Sequence, residues 1–242
     1  VIIPAPYWVS YPDMVLLADG KPVIVETKLE DNFKITPEKL EKAITPNTKI
    51  FIFNSPSNPT GMAYSEDELK ALGNVLERHP HVFVATDDMY EYVLWDKPFF
   101  NLVMTNPSLK ERTCILSGVS KAYSMTGWRI GYALGPESVI KAMADIQSQS
   151  TSNPCSIAQA AAETAIRGST DFVKHMVSTF KKRHDFIVGS LNTMSGVKCI
   201  EADGTFYVFP NVEQAMIKMG IKSDLVLSEV LLKEGHVAVV PG

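Results

Sequence analysis

Lys49-Ile50-Phe51-Ile52-Phe53, a helical stretch opening at Ser65, and Val82-Phe83-Val84-Ala85 follow one another within a single segment, and their reading decides the fold. Ser65 and Glu68 form a capping box, and Leu69, Leu72 and Leu76 recur at helical spacing on one face. A β-branched and aromatic run, an amphipathic helix and a second run argue for an α/β protein with a largely parallel sheet. Working outward, further strands are expected at Val1–Ile3, Val23–Thr27, Cys114–Leu116 and Ile130–Leu134. Thr36 with Pro37 opens a short helix that turns Leu40 and Ile44 inward. A helix after Pro136 is expected to bury Val139, Ile140, Met143 and Ile146, and another starts at Ser156. A long one from Asp171 to Leu191 carries Phe172, Met176, Phe180, Ile187 and Leu191 as its stripe.

After Gly196 the texture changes. Val197–Glu201, Thr205–Phe209 and His236–Val240 read as strands around one helix, Ser223 to Lys233. The expected organisation is a large domain over 1–170, a connecting helix over 171–195 and a smaller α+β domain over 196–242. Both ends fall inside apolar runs, Val1-Ile2-Ile3 and Val237-Ala238-Val239-Val240, so the chain reads as an internal piece of a longer protein, truncated at both ends and inactive alone.

Composition narrows the function. With 242 residues, 45% of them apolar, the chain can bury a sizeable core. A net charge of −4 with scattered cations gives no footprint for nucleic acid or an anionic membrane. No run is long enough to span a bilayer. Cys114, Cys155 and Cys199 are odd in number and lack metal-ligand spacing, which favours a reducing compartment, here the cytoplasm, and no metal site. The start at Val1 leaves organelle targeting open.

Four constellations carry chemistry, each at an expected strand end, where α/β sheets gather their sites. Lys121 follows Cys114-Ile115-Leu116, and Arg129 stands eight residues on in Gly127-Trp128-Arg129-Ile130-Gly131. A partly desolvated amine can form a Schiff base with an aldehyde cofactor, and an arginine close by can grip a phosphate bidentately. Asn58 lies in Asn54-Ser55-Pro56-Ser57-Asn58-Pro59-Thr60-Gly61, which alone also reads as a loop into the next helix. Asp87 and Tyr90 follow the run Val82–Ala85; Asp87 would keep a pyridine nitrogen protonated and Tyr90 would donate to a ring hydroxyl, the plainer reading being an N-cap with a half-buried tyrosine. Trp8, after Pro6-Tyr7, would stack on a flat ring or simply join the core. Together they fit one cofactor, pyridoxal 5'-phosphate.

These stretches resemble the class I aminotransferases, the aspartate-aminotransferase-like branch of the fold-type-I pyridoxal-phosphate enzymes. The segment Pro4–Pro12 resembles the family's ring-stacking segment, Asn54–Gly61 its asparagine-proline-threonine-glycine loop, Gly118–Gly131 its lysine signature, and Gly204-Thr205-Phe206-Tyr207 its small-domain strand. The resemblance implies that Lys121 carries the cofactor and shuttles the proton. It also implies that Asp87 pairs with the ring nitrogen, that Tyr90 and Asn58 bond the ring hydroxyl, and that Asn58 and Trp8 meet the substrate. Arg129 would hold the phosphate. Gly118 stands where many members place a phosphate-binding serine, with Ser120 or Ser117 as the substitute. Ser148 stands, before Ser152-Asn153-Pro154, where the animal and enteric enzymes place a substrate-reading arginine, which points to the other bacterial-type subgroup. The implied activity is ping-pong transamination of L-aspartate with 2-oxoglutarate by a homodimer. A prephenate or aromatic aminotransferase, a β-lyase, or a non-catalytic cofactor-sensing domain of a transcriptional regulator would share the scaffold.

Overall fold

The computed structural model describes all 242 residues. Six strands form one sheet: β1 (Ile2–Ala5), β2 (Val23–Glu26), β3 (Ile50–Asn54), β4 (Phe83–Asp87), β5 (Thr113–Gly118) and β6 (Gly131–Leu134), in the order β2-β1-β3-β4-β5-β6. All neighbours are parallel except β5 and β6. The chain runs outward from β1 to β2, returns to β3 and then proceeds the other way, so the order reverses between β1 and β3. Clefts for ligands open at such a reversal, beyond the carboxyl ends of the strands.

The helices are α1 (Ser10–Leu17), α2 (Pro37–Ala43), α3 (Glu66–Glu77), α4 (Leu102–Thr105), α5 (Glu137–Ser150), α6 (Ser156–Arg167), α7 (Asp171–Asn192), α8 (Glu213–Met219) and α9 (Asp224–Glu234). Thr36 and Ser65 cap α2 and α3 as expected, Ser65 with the full reciprocal box to Glu68. One face of the sheet buries Phe51, Phe53 and Val84 against Leu40, Leu69, Leu72 and Leu76 of α2 and α3. Each such leucine stabilises the fold by about 1.5–3 kcal/mol. The other face sets Ile3 and Ile52 against Tyr11 and Val15 of α1.

The chain divides into two compact units, one of residues 1–181 with Ala202–Tyr207, the other of Lys182–Glu201 with Val208–Gly242. The division falls inside α7, within the expected connecting helix. In the first unit, the peptide Ala202–Tyr207 is bound by loops: Asp203 and Gly204 donate to the Gly61 carbonyl, and Thr205 donates to the Val93 carbonyl. In the second, Lys198 and Asn211 exchange a reciprocal backbone pair and Asn192 brackets Cys199 through both its amide atoms.

Three expectations are corrected. None of Val197–Glu201, Thr205–Phe209 and His236–Val240 forms a strand; isolated bridges at Leu94–Gly204 and Lys198–Asn211 stand instead. A ladder needs consecutive partners, and here the donors go to scattered ones: Thr205 to the Val93 carbonyl, Lys198 to that of Asn211, Cys199 to the Asn192 side chain and Val237 to the Leu231 carbonyl. The helix after Pro136 forms as α5 but buries nothing, with Met143 41% and Ile146 72% exposed. In α7 the expected stripe holds at Met176, which is buried as are Val173, His184 and Val188, and at Phe180, which packs against the cluster of Val173 and Met176, while Phe172 and Ile187 are exposed.

Candidate active site at the carboxyl edge of the sheet

Four parallel strands, β1, β3, β4 and β5, each deliver one part of the candidate site at their carboxyl ends. Beyond β1 the chain turns into α1 and leaves Trp8 exposed at 39%. Tyr11, on the first turn of α1, packs edge-on to Trp8 at 5.5 Å between ring centres. Its hydroxyl donates to Asp87 Oδ2 at 2.6 Å.

Asn54 closes β3, in register with Asp87 of β4. Its Nδ2 donates to the Asp87 carbonyl at 2.7 Å and its Oδ1 accepts from the Asn58 amide at 2.7 Å. One side chain therefore fixes Asn58 relative to the end of β4. The loop closes at Gly61, whose φ of +69° favours glycine; a Cβ there would meet Ala202 Cβ at 2.6 Å. The Asn58 side chain is half-buried and makes no hydrogen bond of its own. A cleft lies between the β1 and β3 ends, lined by Pro6, Tyr7, Tyr11, Asn54, Ser57 and Asn58 among others.

At the end of β4, the Asp87 carboxylate accepts from Tyr11 and, through Oδ1, from the Met89 amide at 3.3 Å. Burial pushes Asp87 above the usual carboxylate range, opposed by the Tyr11 and Met89 donors and by the charge of Lys121. Tyr90 is buried, and its hydroxyl pairs with that of Tyr207 at 2.7 Å. Burial first, and then Tyr207, raise the Tyr90 phenol, so it is a neutral donor at any ordinary pH.

Beyond β5, Lys121 is half-buried with its Nζ 5.5 Å from the centre of the Phe206 ring. Ser117 is committed to Glu91, to which its hydroxyl donates at 2.9 Å. Ser120 is half-buried with an uncommitted hydroxyl. Gly118 has a steric reason: a Cβ there would stand 2.9 Å from the Ile130 carbonyl and 3.0 Å from Gly131 Cα, both backbone atoms. A serine cannot occupy that point without moving β6. Arg129 sits in the left-handed region at φ 57°, exposed, with Nη1 donating to the Thr126 carbonyl at 2.9 Å.

The structure thus links Asp87 with Tyr11, Asn54 and, electrostatically, Lys121 and Tyr90, and it links Asn58 to Asp87 through Asn54. It gives Arg129 and Ser120 no contact with that set. Tyr11, Asn54 and Tyr207 escaped the sequence reading. Tyr11 had a signal, its spacing of three from Trp8, and Asn54 another, as the last residue before the loop. The donor set fits pyridoxal phosphate: a shielded carboxylate for a cationic ring nitrogen, a neutral phenol for a ring hydroxyl, an amine for the aldehyde and an aromatic face for the ring. No group of three or more His, Cys, Asp and Glu is placed to hold a metal ion.

The profile of the Aminotransferase class I and II family matches residues 1–242. An aspartate/prephenate aminotransferase of Nitrosomonas europaea is 51% identical over 249 residues, taking in all of this chain and 63% of that protein. An aspartate aminotransferase of Rhizobium meliloti is 48% identical, covering all of this chain and 60% of that one. The chain therefore spans less than two thirds of the length of these relatives. Among solved structures, the Rhizobium meliloti aspartate aminotransferase superposes with a TM-score of 0.94 at 47% identity, over 99% of this chain and 62% of that one. The Thermus thermophilus aspartate aminotransferase with maleate gives 0.89 at 39% identity, over 99% and 61%. The parallel sheet with its antiparallel edge strand has the fold of these enzymes, and the chain belongs to the class I and II aminotransferase family.

Proposed function

We propose that this chain provides the cofactor-binding core of a pyridoxal-phosphate-dependent aminotransferase that moves the amino group of L-aspartate to 2-oxoglutarate by a ping-pong mechanism. The observation that carries the reading is Asp87, shielded from water at a strand end and facing the charge of Lys121. When bound, pyridoxal phosphate would supply a ring that draws off the electrons of the breaking substrate Cα–H bond. Asp87 would hold the proton on the ring nitrogen, which keeps that ring electron-poor. Lys121 would carry the cofactor covalently through Nζ and, once displaced by substrate amine, would move the α-proton. A positioned base of this kind contributes about 10²–10⁴-fold. Tyr90 and Asn58 would bond the ring hydroxyl, and Asn58 and Trp8 would border the substrate. Arg129 would turn from Thr126 to the phosphate, where its fork can bind two oxygens, with Ser120 beside it.

Within this reading, residues 1–170 serve as the cofactor domain, 171–195 as the connection and 196–242 as part of a small domain. We assign the working form to a cytoplasmic homodimer. Prephenate is the second substrate to examine, because the Nitrosomonas europaea relative carries it in its name.

Borohydride reduction of the protein with pyridoxal phosphate, followed by peptide mass mapping, tests the reading. A phosphopyridoxyl adduct is expected on Lys121, and Lys121→Ala should lack it. A folded protein that takes up no label at Lys121 would sink the proposal.

A further inference from the structure

We propose that Tyr11 is a positioning residue for this site: its hydroxyl holds the Asp87 carboxylate anionic and in one orientation, while its ring braces Trp8. A buried phenol beside a carboxylate can only donate, so the 2.6 Å contact fixes the direction of the hydrogen bond. Burial and the Asp87 charge both push the Tyr11 phenol upward, so it does not give up its proton. The same ring lies edge-on to Trp8 and packs with Ile3 and Val15, which anchors α1 to the sheet. One residue of α1 therefore touches both the aromatic face and the carboxylate assigned to the cofactor ring. Five ionisable groups bear on Asp87. These are Tyr11 from α1, Asp88 and Tyr90 following it in sequence, Lys121 from beyond β5, and Tyr207 from the segment Ala202–Tyr207. Of these, Tyr11 alone donates a side-chain hydrogen bond to it.

The consequence for cofactor binding rests on the function proposed above; the coupling between Tyr11 and Asp87 does not. Removing the hydroxyl removes a charge-assisted hydrogen bond, so protonation of Asp87 should become easier by about one to two pH units. The test is a carbon-13 NMR titration of the Asp87 carboxyl in the cofactor-free protein, for the parent and Tyr11→Phe. The Asp87 midpoint should rise in Tyr11→Phe. With 3-fluorotyrosine at position 11, a more acidic donor, it should fall, which keeps the test open if the phenylalanine variant folds poorly. Dissociation constants for pyridoxal phosphate, read by Trp8 quenching across pH, should show the acid limb of the profile moving upward by the same amount in Tyr11→Phe. A uniform weakening at all pH values would mark a purely structural role and overturn the proposal, as would an unchanged Asp87 midpoint. A parent that binds no pyridoxal phosphate would instead overturn the proposed function, with the NMR titration still deciding the role of Tyr11.

Discussion

Asp87 and Asp88 are adjacent, carry the same side chain, and live in opposite surroundings. Asp87 ends β4 and faces the carboxyl edge, where it meets Tyr11 and the charge of Lys121. Asp88 is 1% exposed and turns to the other side, where Thr86 donates to Oδ1 at 2.5 Å and Asn101 Nδ2 donates to Oδ2 at 2.9 Å. Neither partner is charged. Desolvation raises both carboxyls, and without a cation beside it Asp88 goes up to about 7, helped by the nearby charges of Glu91 and Asp87. Successive residues at a strand end point to opposite faces, so one-residue spacing separates a carboxylate poised for a ligand cation from one poised to take up a proton. Charge at this edge is set by which face a residue occupies and not by its type.

The largest effect should come from removing the site-facing charge. In Asp87→Asn, a cationic ring nitrogen would lose its buried counter-ion, a loss of about 3–5 kcal/mol, so pyridoxal phosphate should bind about 10² to 10⁴-fold more weakly. The melting temperature of the cofactor-free protein should hardly change, because Asp87 is itself destabilised by burial. A variant that binds the cofactor as the parent does would assign the ring nitrogen to another partner.

Asp88→Asn should act on stability alone and with a definite pH signature. Because the folded Asp88 holds its proton up to about 7 and an unfolded aspartate releases it near 3.8, the folded state binds more protons between those values. Stability should thus fall as pH rises from about 4 to 7, by about 2–4 kcal/mol from this group. Asparagine fits the same place, since Asn101 can donate to its oxygen while its amide donates to Thr86. Urea unfolding should show Asp88→Asn more stable than the parent at pH 8 and equal to it at pH 4. Equal stabilities at both pH values would remove the contrast between the two aspartates.

Thr86→Val gives the smallest effect and sharpens the same contrast. It strips the hydroxyl donor from Asp88 Oδ1 and leaves Asn101 as the remaining side-chain donor. The expected cost is about 1–2 kcal/mol at pH 8, shrinking on acidification as Asp88 takes its proton, with cofactor affinity unmoved. Denaturant midpoints at the two pH values check the direction.

How far the sequence reached can be followed element by element. The six strands of the sheet and the helix α3 were legible because local pattern and burial agree there: Leu69, Leu72 and Leu76 share a face, and that face meets Phe51 and Phe53. The stripe of α5 has comparable periodicity, yet Met143 and Ile146 stand exposed. Amphipathicity states that a face can be buried; it does not state what covers it. The strands expected after Gly196 failed for a related reason. Their β-branched runs satisfy a propensity, but their amides find scattered single partners, Thr205 the Val93 carbonyl, Lys198 that of Asn211 and Val237 that of Leu231, and not a neighbouring strand in register. At the carboxyl edge, Lys121, Asp87, Tyr90 and Asn58 could be singled out as candidates because a strand end followed by a reactive or polar side chain is a local pattern. Tyr11 was hidden because its value comes from a partner 76 residues away.

The sequence alone determined the α/β class, the capped helices and the candidate residues of the carboxyl edge, since each depends on spacings of a few residues. Only the tertiary structure decided that Asp88 is enclosed by Thr86 and Asn101, that Asn54 ties Asn58 to β4, that Gly118 leaves no room for a serine, and that Tyr11 donates to the Asp87 carboxylate. Those outcomes depend on register between strands and on contacts across long stretches of chain, where desolvation and steric fit act between residues that no local pattern connects.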